Sequence, residues 1–179
     1  MACIRPFIVG AGCIPDHRMT FGSNSLSEVW GGKLIEYSCL EDPVEILDSI
    51  PQDEGLVQLI GDAAMHYSMR GSWLEVLGAW RQPIILMVLT TLPNGEPPGV
   101  AAAYAALCDS LHVPLVGIVQ LGGYWDPLKR RSDGLPWCGW IPEDGEFQKD
   151  ESNSLIEYKA LVTETTVMKL RQRLMKLTN

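Results

Sequence analysis

The sequence lacks the long apolar run of about 20 residues that a membrane-spanning helix needs. No stretch of the 179 residues approaches that length without charged or polar interruption. The first residues, 1–9, also lack the charged segment followed by an apolar core that marks a secretory signal peptide. These absences predict a cytoplasmic protein with no membrane partner.

Cysteines are few and follow no recognisable spacing. The five thiols are scattered without a Cys-x-x-Cys pair, at Cys3, Cys13, Cys39, Cys108 and Cys138. An odd, scattered set predicts reduced thiols rather than a disulfide framework. A zinc site built from Cys13, His17 and Cys138 lacks an identifiable fourth ligand, so we predict no metal site, and we predict no cofactor.

Positive charge is also scarce, because 14 Lys and Arg residues face 22 Asp and Glu residues and give a net charge of −8. Proteins that bind nucleic acids or acidic membranes carry a basic surface. The balance therefore argues against a nucleic-acid partner. Self-association, another protein and an anionic small molecule remain candidate partners.

What the sequence does contain is a series of short apolar runs separated by helical segments. The runs are Leu56–Gly61, Pro83–Leu89, Pro114–Gln120 and Trp137–Pro142. This alternation is typical of parallel β-α-β units that are buried on both faces. We predict one α/β domain over residues 1–179, with three layers and a mostly parallel open sheet that has helices on both faces.

The N-terminal part is less regular. Phe7–Gly10 and Lys33–Ser38 are predicted strands, and residues 11–32 are interpreted mostly as loop because Gly, Ser and Asn are frequent there. Asp42 and Ser72 are predicted N-caps of helices. Near the C-terminus an amphipathic helix is predicted from the apolar residues Val167, Leu170, Leu174 and Leu177, whereas 155–163 is ambiguous between helix and strand.

The stretch Leu56–Pro142 has a pattern of strand ends that is found in one family. Its features are Gly61-Asp62 after a strand, the strand Pro83–Val88, the strand Val113–Val119 and the segment Leu135-Pro-Trp-Cys-Gly-Trp-Ile-Pro142. This pattern resembles the C-terminal half of dethiobiotin synthetase-like P-loop ATPases, a group that includes cobyrinic acid amide synthases and MinD-type proteins. The resemblance implies a P-loop NTPase-like fold.

The phosphate-binding device of that family has no counterpart here. A Walker A loop ends in Gly-Lys-Ser/Thr, whereas the loop after the first predicted strand is Gly10-Ala-Gly-Cys-Ile-Pro15. The later pair Gly32-Lys33 is followed by Leu34, which has no hydroxyl for magnesium, and Gln120-Leu-Gly122 replaces the family's base-contacting Asn. The resemblance therefore implies the fold, with a degenerate Walker A region, and does not imply ATP hydrolysis.

The strongest candidate for a ligand site is the loop 122–134, which leaves the carboxyl end of a predicted strand. Glycines there permit close approach of a ligand, the basic side chains suit phosphate or carboxylate groups, and the aromatic side chains offer stacking surfaces. The candidate residues are Gly122, Gly123, Trp125, Asp126, Lys129, Arg130 and Arg131. Alternatively, the loop is structural, its arginines pair with Asp126, Asp133 or the acidic segment 143–151, and its tryptophans fill the core.

Two smaller candidates lie on other predicted rim loops. Asp62 follows a strand directly and can bind a ligand, or it can cap the next turn while the nearby His66 stays at the surface. Cys13 and His17 can form a nucleophile and base pair only if the fold brings them together.

The functional hypothesis follows from a well-formed second half beside a first half without Walker chemistry. It is a non-catalytic P-loop-like α/β protein that has lost its phosphate-binding loop and acts as a binding or scaffolding protein, with self-association (a homo-oligomer) as one form of that role. The alternative is an enzyme acting on an anionic small molecule bound at loop 122–134. The sequence leaves open whether the protein is an enzyme.

Overall fold

The computed structural model describes residues 5–51, 55–67, 69–90, 99–143 and 152–178, with the side chains of the last segment described from residue 156. The strands are β1 (Phe7–Gly10), β2 (Lys33–Ser38), β3 (Gly55–Ile60), β4 (Ile84–Leu89), β5 (Leu115–Leu121) and β6 (Trp137–Ile141). The helices are α1 (Asp16–Trp30), α2 (Pro43–Ser49), α3 (Trp73–Ala79), α4 (Val100–Ser110), α5 (Pro127–Ser132) and α6 (Ser152–Thr178).

Within the described residues the six strands form one open sheet in the order β2-β3-β1-β4-β5-β6. Every neighbouring pair is parallel, so the predicted α/β fold is confirmed. The order differs from the order 3-2-1-4-5-6 that is usual in dinucleotide-binding sheets. Continuous burial of β4, in which only Leu89 at the end is partly exposed, explains why its sequence is uniformly apolar.

Helices cover both faces of the sheet. On one face the core contains Phe7 and Val9 of β1 together with side chains from α2, α3 and α4. On the other face Ile8 packs with side chains from α1 and α6. Successive residues of one strand point to opposite faces, so β1 contributes to both cores. The arrangement has the three predicted layers.

The direction of the crossovers defines a switch point in the sheet. The connection after β1 leads through α1 to β2 on one side, whereas the connection after β4 leads through α4 to β5 on the other side. Open α/β sheets bind ligands in the crevice at the carboxyl ends of the two strands where the direction changes. The carboxyl ends of β1 and β4 are therefore the first place to look for a site.

The prediction that residues 11–32 are mostly loop is wrong, because Asp16–Trp30 form a helix. The small residues that suggested a loop are instead packing residues. A Cβ atom on Gly22 would lie 2.6 Å from Sδ of Met87 on β4, and Ser23 is fully buried. Tertiary packing of α1 on the sheet thus outweighs weak helix propensity. The ambiguous stretch 155–163 is also helical, within α6.

The predicted N-caps of two helices, Asp42 and Ser72, are confirmed. The Asp42 carboxylate accepts hydrogen bonds from the backbone N–H groups of Val44 and Glu45 at the start of α2. Ser72 and Glu75 form a reciprocal capping box at the start of α3. None of the helices in the described ranges combines the length and the apolar character needed to cross a membrane.

Candidate functional site

The loop after β1 lies at the switch point, where its own backbone and side chains pack against one another. A Cβ atom on Gly10 would lie 3.3 Å both from the carbonyl oxygen of Gly12 and from the Ile14 side chain. Ile14 is buried and belongs to the core beneath α1. Pro15 occupies the N-cap position of α1 and provides no side-chain cap. An apolar side chain thus anchors the loop where a Walker A loop would cradle a phosphate.

Tyr104 of α4 reaches across to this loop from the opposite face. Its hydroxyl donates a hydrogen bond to Oδ1 of Asp62 and also contacts the backbone N–H of Gly12. Burial, followed by the hydrogen bond to Asp62 and its charge, raises the pKa of the Tyr104 hydroxyl. The phenol therefore stays protonated and bridges the ends of β1 and β3.

Asp62 has a capping role as well. Its Oδ1 accepts a hydrogen bond of 3.0 Å from the backbone N–H of Ala64, as expected for the cap interpretation. Nε2 of His66 lies 3.1 Å from Oε2 of Glu75. His66 therefore contacts a carboxylate of α3 and not a group at the rim. Because Asp62 bonds to Tyr104 and Ala64 together, the candidate carboxylate is engaged by the protein's own groups.

Arg130 in the predicted ligand loop is buried, with 6% of its surface exposed. Its Nε and Nη2 donate to Oε1 of Gln120 on β5 at 3.1 and 2.8 Å. Its guanidinium lies 5.0 Å from the ring centroid of Trp137 and 5.8 Å from that of Trp125. The two rings meet edge to face at 6.1 Å. A polar strand residue and two aromatic rings thus enclose the guanidinium.

Gln120 connects this arrangement to the rest of the loop. Its Nε2 donates to the carbonyl oxygens of Gly122 and Tyr124 at 2.8 and 3.1 Å. The Thr90 hydroxyl, at the end of β4, donates to the Gly122 carbonyl at 2.7 Å, and a Cβ atom on Gly123 would lie 2.1 Å from Oγ1 of Thr90. The space that these glycines leave beside the backbone is therefore occupied by the Thr90 side chain.

The other charged residues of the loop either accept hydrogen bonds within the loop or lie at the surface. Asp126 caps α5 by accepting from the backbone N–H groups of Leu128 and Lys129 at 2.9 and 3.2 Å. Asp133 accepts from the indole N–H of Trp137 at 2.8 Å. Lys129 and Arg131 are exposed. Most of the acidic segment 143–151, an alternative partner for the arginines, lies outside the described residues.

One rim contact was not expected from the sequence. Arg18 near the start of α1 forms a bidentate ion pair with Glu143, which follows β6, and the Nε–Oε1 distance is 2.6 Å. These two side chains, with His17 and Phe21, line a cavity of about 330 Å³. Because the partners are 125 positions apart, the sequence has no local pattern that could indicate the pair.

The structure describes four of the five thiols, and three of them are buried. Burial raises the pKa of Cys39 to about 12, with a further contribution from the charge of Asp62, and raises the pKa values of Cys108 and Cys138 to about 11. Cys13 and His17 are both exposed, and His17 lines the cavity beside Arg18. No cluster of three or more His, Cys, Asp or Glu side chains suited to a metal occurs in the described part of the chain.

A larger cavity of about 820 Å³ lies at the opposite, amino end of the sheet. Arg81 and His112, with φ of 54° and 59°, line this cavity and are the non-glycine residues with positive φ in the described ranges. Each residue follows the C-cap residue of a helix, Trp80 for α3 and Leu111 for α4. The hydrogen bonds from Gln82 to Leu77 and from Val113 to Cys108 identify both ends as Schellman motifs, in which glycine normally occupies this position. Sequence reasoning missed both, because neither helix end carries glycine.

No family model matches the chain, and no curated protein matches it either. The resemblance to P-loop ATPases therefore rests on the sequence patterns given above.

Proposed function

We propose that the protein is a non-catalytic, P-loop-like α/β protein that acts as a binding or scaffolding protein. The observation that carries the proposal is the enclosure of Arg130 by Gln120, Trp125 and Trp137, because it turns the most basic rim loop into part of the scaffold. The loop after β1 is engaged in a similar way by Ile14 and Tyr104.

The energetics of Arg130 support this interpretation. A guanidinium that donates two hydrogen bonds to a buried amide gains stability from contacts that an incoming anion would have to replace. Moving it toward a ligand would also leave Oε1 of Gln120, which is fully buried, without those donors. Buried polar groups without partners are costly, so we expect the arginine to keep its present position.

The proposed partner is a protein rather than a nucleic acid, because the net charge of −8 opposes binding to phosphate backbones. We also place the protein in the cytoplasm, on the grounds that the scattered cysteines include three buried thiols without a disulfide partner.

The alternative function is an enzyme that acts on an anionic small molecule at loop 122–134. One observation favours it: Lys129 and Arg131 are exposed on α5, and Tyr124 in the same loop is 72% exposed. A ligand held by these three side chains would not need Arg130 to move.

A thermal-shift screen separates the two functions. The panel contains nucleotides with magnesium, dinucleotides, phosphorylated sugars and dicarboxylates, and the proposed function predicts no shift with any of them. A ligand present at about 100 times its dissociation constant would add roughly 2.7 kcal/mol and raise the Tm by several degrees. A shift that disappears in the double variant Lys129→Ala/Arg131→Ala would overturn the proposed function and establish the enzyme-like site.

A further inference from the structure

The outer face of α6 carries an apolar stripe that recurs every seven residues. The stripe consists of Leu161, Met168 and Met175, which are 60%, 54% and 57% exposed. At seven-residue spacing they follow one line on the helix and lie about 10 Å apart along its axis. The face turned to the sheet is formed by Thr163, Thr166, Val167 and Leu170. The stripe therefore points away from the protein's own core.

Charges along α6 change sign from one half of the helix to the other. The first half contains Glu157, Lys159 and Glu164, and the second half contains Lys169, Arg171, Arg173 and Lys176. Glu164 and Arg171 flank the stripe on the side of α1, where they border a groove of about 350 Å³ together with Met168, Met175 and Val29. Because the first half is weakly acidic and the second half is strongly basic, the helix is complementary to an antiparallel copy of itself.

We propose that α6 pairs with α6 of a second copy of this chain in an antiparallel arrangement. The two-fold axis passes beside Met168, so this residue meets Met168 of the second copy, and Leu161 meets Met175 of the second copy. Glu164 then faces Arg171 of the second copy, and symmetry makes this ion pair twice. The inference rests on the proposed binding role and names one partner for it.

The charges also select the orientation. In a parallel pair the second halves of the two helices would lie side by side and bring Arg171 close to Lys176 of the second copy. Like charges in that position destabilise a helix pair. The antiparallel arrangement replaces that repulsion with attraction between opposite halves.

The pair is expected to be weak. Thr165 and Gln172 lie between the apolar residues on the same face, so the contact has only three large apolar side chains from each copy. Interfaces of this size belong to the transient class, for which we expect a dissociation constant on the order of 1–100 µM. Sedimentation velocity on the full chain at increasing concentration should therefore reveal a monomer–dimer equilibrium.

Cysteine cross-linking tests the arrangement directly. Met168→Cys should form a disulfide-linked dimer on mild oxidation, because the two introduced thiols meet at the axis. Leu161→Cys and Met175→Cys should each stay uncross-linked alone and form a mixed dimer when the two variants are combined. The unsubstituted chain, which carries exposed Cys13, gives the background. Efficient cross-linking of Leu161→Cys with itself would overturn the antiparallel arrangement.

Charge reversal provides an independent test. Glu164→Arg or Arg171→Glu alone should weaken dimerisation roughly tenfold, because two symmetric pairs become repulsive. The double variant Glu164→Arg/Arg171→Glu should restore it. Since Arg171 also stacks on Trp30 at 5.3 Å, Met168→Glu serves as a second variant that avoids this contact and should abolish the dimer. The Tm of each variant shows whether it is folded.

A chain that remains monomeric up to about 100 µM would overturn this inference. That result would leave the proposed function standing, because a different protein partner would still be compatible with an inert rim. Conversely, a nucleotide-specific shift in the thermal screen would overturn the proposed function without affecting the oligomeric state. The two failures are thus distinguishable.

Discussion

The side-chain oxygen of Gln120 accepts two hydrogen bonds from the guanidinium of Arg130, which lies ten residues later in the rim loop 122–134. Both side chains are buried. The same glutamine donates to two carbonyl oxygens of the loop. This pair therefore connects β5, the loop and α5. Its loss should lower the free energy of unfolding.

We expect Arg130→Met to lower the free energy of unfolding by about 2–4 kcal/mol, because Oε1 of Gln120 would lose both donors while the aliphatic stem is largely retained. Urea denaturation measures the change. The matched control is Arg131→Met at the exposed neighbouring position, for which we expect a change within about 0.5 kcal/mol. Equal effects at the two positions would contradict the structural role of Arg130.

Gly22→Ala should destabilise the protein although alanine is the better helix former. The added Cβ would meet Sδ of Met87 at 2.6 Å and a methyl group of Leu121 at 3.1 Å, and overpacking of this kind costs about 1–3 kcal/mol. Asn24→Ala, at an exposed position of the same helix, should stabilise by a few tenths of a kcal/mol, roughly the difference in propensity. Stabilisation by both substitutions in thermal denaturation would show that α1 does not pack closely on β4.

Glycine should be preferred to the native residues at the two Schellman positions. Arg81→Gly and His112→Gly should each stabilise by about 0.5–1 kcal/mol, because relief of the left-handed backbone exceeds the entropy that glycine loses on folding. Arg81→Ala is the matched control, since alanine removes the same charge but keeps the strain at φ of 54°. A Tm that rises equally with glycine and alanine would trace the gain to charge rather than backbone conformation.

The buried thiols make stability depend on alkaline pH. The pKa of Cys39 is raised from 9.0 to about 12 in the folded protein, so the unfolded chain loses this proton first. At pH values between these two pKa values, the unfolded state binds fewer protons than the folded state. The free energy of unfolding therefore falls as pH rises. The stabilising effect of the protonated thiol is fully present below pH 9.0.

The expected slope is about 1.4 kcal/mol per pH unit for each fully buried thiol. Urea denaturation in reducing buffer at several pH values between 9.0 and about 11 measures it. Cys39→Ala should reduce the slope, because Cys108 and Cys138 would then be the remaining buried thiols among those described. An unchanged slope in the variant would mean that Cys39 is accessible to solvent.

Much of the fold was predictable because the deciding signals are local. The strands β3, β4 and β5 appear in the sequence as short apolar runs with helical segments between them, and the caps at Asp42 and Ser72 are formed as expected. The helix α1 was missed for a physical reason. Its small polar residues are poor helix formers in isolation, and what favours the helix is contact with Met87 and Leu121 on distant strands.

The candidate site was only partly predictable. The sequence located the rim loop 122–134 and gave two interpretations of its arginines. The sequence does not identify Gln120 as the partner of Arg130, because nothing local shows that an amide within an apolar strand faces a guanidinium ten residues later. The pairs Arg18–Glu143 and Tyr104–Asp62 join residues from distant parts of the chain, and no spacing rule connects them.

By itself, the sequence determined the α/β class and the alternation of strands and helices, together with the net charge of −8. These properties follow from composition and from periodicities of two and 3.6 residues, which are local consequences of backbone geometry. Only the tertiary structure decided the strand order and the packing of α1. It also decided which rim side chains are held by Gln120, Asp62 and Glu143. Those outcomes depend on distances between residues far apart in the chain. Such distances are set only when the helices pack on both faces of the sheet.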